Sequence, residues 1–277
     1  TLSSSHIMSL TVGGFTSQPV DTDTYTINPA VVDYIEYSTG TTQTLAAGVC
    51  SAVITARTKD QFGNITTDNP GGTLINLTTG SGSGTFYSDA CSTSTTAVTV
   101  ADASSTKTFY YDDTLDNGPT LTMTGPGFTT QNVDTTVFTI NPAVADHIEI
   151  ISGSGQTSVA GVCSATAITV RTRDQYNNIT TDQGGTTVVT LSSDSTGETY
   201  YTDACTTSSG SVTLADGVST KTFYYKDTLS SGHTTTVSVA GFTTQNSDTD
   251  AYTIIPAVAD MIEVSAGGGQ TTVADIC

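Results

Sequence analysis

Two stretches carry a dense set of candidate ligand oxygens, KDQFGNITTD from Lys59 to Asp68 and RDQYNNITTD from Arg173 to Asp182. Asp60 and Asp174 occupy the same place in each, as do Asn64 and Asn178. Such side chains can close a tight turn, bonding to nearby backbone while Gly63 or its counterpart Asn177 takes a left-handed conformation. They can also serve calcium, which needs about six to eight oxygens. A calcium site would draw on Asp60 and Asp174, on Asp146 and Asp260, and on acids near the proline-containing connections: Asp21, Asp23, Asp33, Asp134, Asp248 and Asp250. The DxD at 21–23 and 248–250 becomes Asp134-Thr135-Thr136 in between, and no stretch has EF-hand spacing. Turn closure is therefore the expected role, with calcium the alternative and no other cofactor indicated.

Asn64-Ile65-Thr66 and Asn178-Ile179-Thr180 also fit the glycan acceptor pattern, as does Asn76-Leu77-Thr78. Thr190 replaces Asn76 in the later copy, which leaves Asn64 and Asn178 as the better candidates. Catalytic chemistry finds less support. His147 aligns with Tyr34 and Met261, and His233 with Pro119, so neither is a general base shared by the copies. There is no phosphate loop or dinucleotide fingerprint. An enzyme is not expected. Lys107 and Lys221 raise an isopeptide bond to Asn, but both alternate outward from Phe109 and Phe223 and read as solvated. Tyr110–Tyr111 and Tyr224–Tyr225 could stack on sugars; the plainer expectation is one ring in the core and its neighbour covering the sheet.

The five cysteines follow the same periodicity. Cys50 recurs at Cys163 and Cys277, and Cys91 at Cys205. Cys50 with Cys91 and Cys163 with Cys205 are expected to form disulfides inside single repeats, which implies an oxidising, extracytoplasmic setting. The partner of Cys277 is not indicated. A zinc site is disfavoured, since two thiols without a repeated His leave the metal short of ligands.

The elements that must position these residues repeat too. TINPAVVDYIEYSTG at Thr26 returns as TINPAVADHIEIISG at Thr139 and as TIIPAVADMIEVSAG at Thr253, steps of 113 and 114 residues. A period that long is the size of a domain. Taking the proline of each copy as a start, residues 1–28 read as the closing strand or strands of one domain and 29–141 and 142–255 as two complete domains. Residues 256–277 then open another, so the chain reads as a piece of a longer one. Within each copy the period is 2. Ile168, Val170 and Thr172 alternate with Thr169, Arg171 and Arg173; Val189 with Leu191, Phe223 with Tyr225, and Val237 with Val239 share faces. Helical periodicity is absent. The expected fold is all-β: tandem antiparallel sandwiches in a linear array.

Composition limits the partners. Seven basic residues stand against 26 acidic ones, a net charge of −19, which excludes nucleic acid and disfavours anionic membranes. No apolar run approaches the ~20 residues of a membrane-spanning helix. The succession AGVCSA, ITVRTRDQYNNITTD, SVTLADGVSTKTFYYKDT and TTVSVAGFTTQ resembles the bacterial immunoglobulin-like tandem repeats of large surface and secreted proteins. That resemblance covers nearly the whole chain and implies immunoglobulin-like sandwiches used as a stalk, spacer or adhesive module. It departs from antibody domains in having no Trp. The resulting expectation is a non-catalytic extracellular stalk or filament segment of a prokaryotic surface protein. Its partners would be neighbouring repeats or copies of itself. The alternative is an adhesin taking a glycan or a protein receptor, with or without calcium.

Overall fold

The computed structural model describes residues 6–14, 20–263, 265–266 and 269. Among these, every regular element is a strand. The chain divides into two compact units, Thr1–Ala143 with Tyr176–Asn178, and Val144–Gln175 with Ile179–Cys277.

The first unit begins with a hairpin, β1 (His6–Thr11) and β2 (Val20–Tyr25), which forms a sheet of its own. Then come β3 (Val32–Thr39), β4 (Thr44–Ala46), β5 (Ile54–Asp60), β6 (Thr73–Thr79), β7 (Thr85–Tyr87) and β8 (Ser94–Thr95). The unit ends with β9 (Ala97–Val100), β10 (Thr106–Asp112), β11 (Thr120–Thr124), β12 (Val133–Val137) and β13 (Thr139–Asn141). One sheet has the order β3-β5-β10-β7-β8 and the other β12-β11-β6-β9, while β13 pairs with β4.

The second unit repeats the plan with β14 (Ala145–Ser152), β15 (Thr157–Val159), β16 (Ile168–Asp174), β17 (Thr186–Ser193) and β18 (Glu198–Tyr201). It closes with β19 (Ser211–Ala215), β20 (Thr220–Asp227), β21 (Ser231–Ser238) and β22 (Ser247–Ile255). Here β22 is continuous where the first unit has β12 and β13, so its second sheet runs β15-β22-β21-β17-β19. The other sheet is β14-β16-β20-β18.

Strand faces follow the side-chain alternation. Every second residue of β5 and β16 is buried, and Ile168, Val170 and Thr172 are all fully enclosed. Each core lies between its two sheets. Ile35, Ile54, Phe109 and Tyr111 come from one sheet of the first unit, Ile75, Val100, Leu121 and Met123 from the other. Phe223 and Tyr225 of β20 face Val189, Val237 and Tyr252 in the same way. Rings meet at tilted or edge-on angles, as the quadrupole prefers, with Phe86 to Tyr111 at 5.0 Å and Tyr225 to Tyr252 also at 5.0 Å.

A glycine lets the chain change sheets at the start of each unit. Gly40, between β3 and β4, has φ 77°, and an added Cβ would lie 2.3 Å from the Val53 carbonyl oxygen. Gly153 repeats this with φ 82° and 2.4 Å to the Ala167 carbonyl oxygen. Only glycine combines that backbone conformation with that approach.

Candidate functional site

The Asp-Asn stretches form turns. Asp60 is fully buried and accepts hydrogen bonds from the backbone of Ala30 at 3.0 Å, Phe62 at 2.9 Å and Asn64 at 2.8 Å. The Asn64 side-chain amide adds a further bond at 2.9 Å. Burial works against the Asp60 charge, but these donors outweigh it and hold its pKa below the ordinary value. Gly63 and Asn177 both adopt the left-handed conformation expected of them, with φ 81° and 72°. Asp174 is fully buried at the equivalent position.

Four of the other acids proposed for calcium, Asp33, Asp146, Asp134 and Asp248, accept hydrogen bonds from distant parts of the fold. Asp33, at the start of β3, clasps the loop of the β11–β12 hairpin. Its carboxylate accepts from Thr129 N at 2.6 Å, Thr129 Oγ1 at 2.7 Å, Thr130 N at 3.1 Å and Thr130 Oγ1 at 2.6 Å. Asp146 does the same with Thr243 and Thr244, at 2.5, 2.8, 3.1 and 2.7 Å. The Thr130 hydroxyl and the Thr129 amide pull the Asp33 pKa down to about 2. Asp134 and Asp248 each accept one backbone N–H across the sheets, from Tyr37 and Ile150, both at 2.7 Å. Asp260 is exposed, and the side chain of Asp21 lies outside the described residues. Asp60 and Asp146 therefore face separate donor sets, and among the described residues no group of three His, Cys, Asp or Glu could hold a metal ion.

Both glycan candidates use their side-chain amides within the fold. Asn64 gives its amide to Asp60. Asn178 is buried and donates to the Thr114 carbonyl at 2.8 Å, both residues belonging to the first unit. Lys107 and Lys221 are exposed. Tyr111 and Tyr225 are core residues, with Tyr110 and Tyr224 partly covered beside them.

The cysteines are joined as Cys50–Cys91 and Cys163–Cys205, with Cα separations of 5.9 and 6.1 Å. Cys277 lies outside the described residues.

Sequence reasoning missed a buried tyrosine–aspartate pair. Tyr111 Oη donates to Asp113 at 2.8 Å, and Tyr225 Oη to Asp227 at 2.5 Å. Asp113 also accepts from Ser83 Oγ at 2.6 Å and Leu115 N at 3.0 Å. The F-Y-Y-x-D spacing could have disclosed it, because residues two apart on a strand share a face. Charge pairing on the outer faces was missed as well. Glu36 holds Arg57 and Lys59, and Glu149 holds Arg171 and Arg173, which uses four of the seven basic residues.

Each unit also has a groove at an equivalent place between its sheets. In the first unit it measures about 790 Å³, with Leu77 and Phe86 against Thr85 and Thr95; in the second about 400 Å³, with Leu191 and Tyr200 against Thr199 and Ser209.

No family model matches the chain, and no curated protein does. Among solved structures it is similar to surface layer protein SbsC, domains 1–6, at 15% identity and TM-score 0.35, covering 92% of this chain and 32% of that one. It is also similar to domains 4 and 5 of the S-layer protein SbsC, at 16% identity and TM-score 0.32, covering 82% and 100%. Yersinia pseudotuberculosis adhesin InvE matches at 14% identity and TM-score 0.31, covering 79% and 58%. The chain thus spans about a third of the first of these structures.

Proposed function

We propose that this chain is a non-catalytic segment of an extracellular structural protein, a tandem immunoglobulin-like stalk or filament of a prokaryotic surface. The observation that carries this reading is the agreement between the copies. The Asp–Thr-Thr clasp, the buried Tyr–Asp pair and the disulfide all recur at equivalent positions. The histidines do not recur. What is repeated holds the fold together, and the disulfides favour an oxidising compartment. The net charge of −19 keeps densely arranged copies apart and soluble. A membrane-impermeant amine label applied to intact cells should modify exposed Lys107 and Lys221. Labelling seen only after lysis would overturn the surface reading.

A second reading, an adhesin, is favoured by the groove repeated in both units. Its hydroxyl-lined walls over an apolar floor suit a glycan. Binding on a glycan array that weakens with Thr85→Val would support it; an array without signal would remove the glycan version.

A further inference from the structure

We infer that each unit is built to resist tension along the chain, and that its disulfide sets how far the unit lengthens once it yields. The biological use of this device rests on the stalk reading; its physics rests on strand direction.

The chain enters the first sandwich through β3 and leaves through β13. At Gly40 it crosses to β4, and β4 pairs in parallel with β13: Thr44 with Thr139, Leu45 with Ile140, Ala46 with Asn141. The flanking bonds run from Thr139 N to the Gln43 carbonyl at 2.9 Å and from Ala47 N to the Asn141 carbonyl at 2.8 Å. A pull on the two ends drags β4 toward its N-terminus and β13 toward its C-terminus. Because the strands are parallel, those directions oppose each other along the ladder, so its bonds strain together. An antiparallel pair pulled from its open end would instead lose them one at a time.

The entry strand has a second parallel attachment. Tyr34 bridges Gln131 in parallel, Ile35 N donates to the Gln131 carbonyl at 3.3 Å, and the Gln131 amide returns a bond to the Ile35 carbonyl at 3.0 Å. The Asp33 clasp lies just ahead of this bridge and meets the load first. The second unit repeats the arrangement. β15 and β22 pair in parallel from Thr157 with Thr253 to Val159 with Ile255, and His147 bridges Gln245.

Cys50 follows closely behind β4 and is bonded to Cys91, 41 residues on. When the β4–β13 pair fails, the loop between these cysteines stays closed and cannot extend. At about 3.3–3.6 Å per residue, a separation of 41 residues withholds roughly 140 Å.

The test is single-molecule stretching of the full chain held by its ends. Two unfolding events are expected. In Cys50→Ala with Cys91→Ala, one step should lengthen by roughly 140 Å while the other keeps its length, which marks the first unit. Adding Ala47→Pro, which removes the donor to Asn141, should raise the unfolding rate of the marked event at fixed load about five- to tenfold and leave the other event unchanged. An unchanged rate would sink the parallel pair as the resisting element, and an unchanged step would sink the disulfide limit. If the cysteine variant fails to fold, dithiothreitol applied to the native chain under tension is the second measurement. It reduces the exposed disulfide to two thiols while closing to its own cyclic disulfide, and should add the same 140 Å after each unit has yielded; no added length overturns the limit. If Ala47→Pro fails to fold, Asp33→Asn leaves the ladder untouched and should raise the rate by about twofold or more; no change would overturn the clasp. Failure of surface labelling would remove the stalk reading without altering any of these forces.

Discussion

At the level of single residues, buried or clasping carboxylates gather backbone and hydroxyl donors from separate parts of the chain. Asp33, Asp60, Asp113 and Asp146 are each surrounded by N–H and O–H donors, so their lone pairs are already committed to the fold. Adding millimolar calcium is accordingly expected to leave the melting temperature unchanged. A rise in calorimetry that a chelator abolishes would support the cation reading instead. The same donors make the fold acid-sensitive. With the folded pKa of Asp33 depressed to about 2 and an ordinary value of about 3.9 in the unfolded chain, its contribution is complete above pH ~4 and fades as pH falls toward 2. Over that window Asp33→Asn should lose less stability than the native chain. Parallel acid-melting curves for the two would argue against the clasp. Little of this was legible beforehand. The D-Q-[FY]-x-N turn was readable because it acts on its own backbone. Asp33 and Thr129 lie 96 positions apart, and only folding makes them neighbours.

For the strands, alternation disclosed which side chains face inward, but not how strands pair. The parallel contacts β4–β13 and β15–β22 join the first and last parts of a unit, and a local pattern contains no information about such partners. The crossing glycine is similarly concealed. Gly40 and Gly63 look alike in sequence and both have positive φ, yet a side chain at Gly40 would strike backbone while one at Gly63 meets nothing within 4 Å. Gly63→Ala should therefore cost only about 1–2 kcal/mol, the penalty of a left-handed alanine. Gly40→Ala adds a clash and should cost more, about 3 kcal/mol or above. Urea denaturation compares them, and equal costs would mean that the crossing has room to relax.

On the scale of the whole molecule, each unit carries its own core and its own disulfide. In the chain-entropy account, closing a loop of 41 residues stabilises a unit by roughly 4 kcal/mol. Reduction should thus lower both calorimetric transitions by comparable amounts. A fall in only one would show that the two bridges are not equivalent in energy. The amino-acid sequence by itself determined what depends on spacing along the chain: the repeat, the β class, the inward faces and the turn residues. Two-residue alternation and residue chemistry are local quantities, and neither requires knowledge of a distant neighbour. Tertiary structure alone decided which carboxylates clasp which threonines, which strands run parallel, and where the chain must cross between sheets. Those outcomes depend on packing two sheets around a shared core, where contacts form between residues about a hundred positions apart.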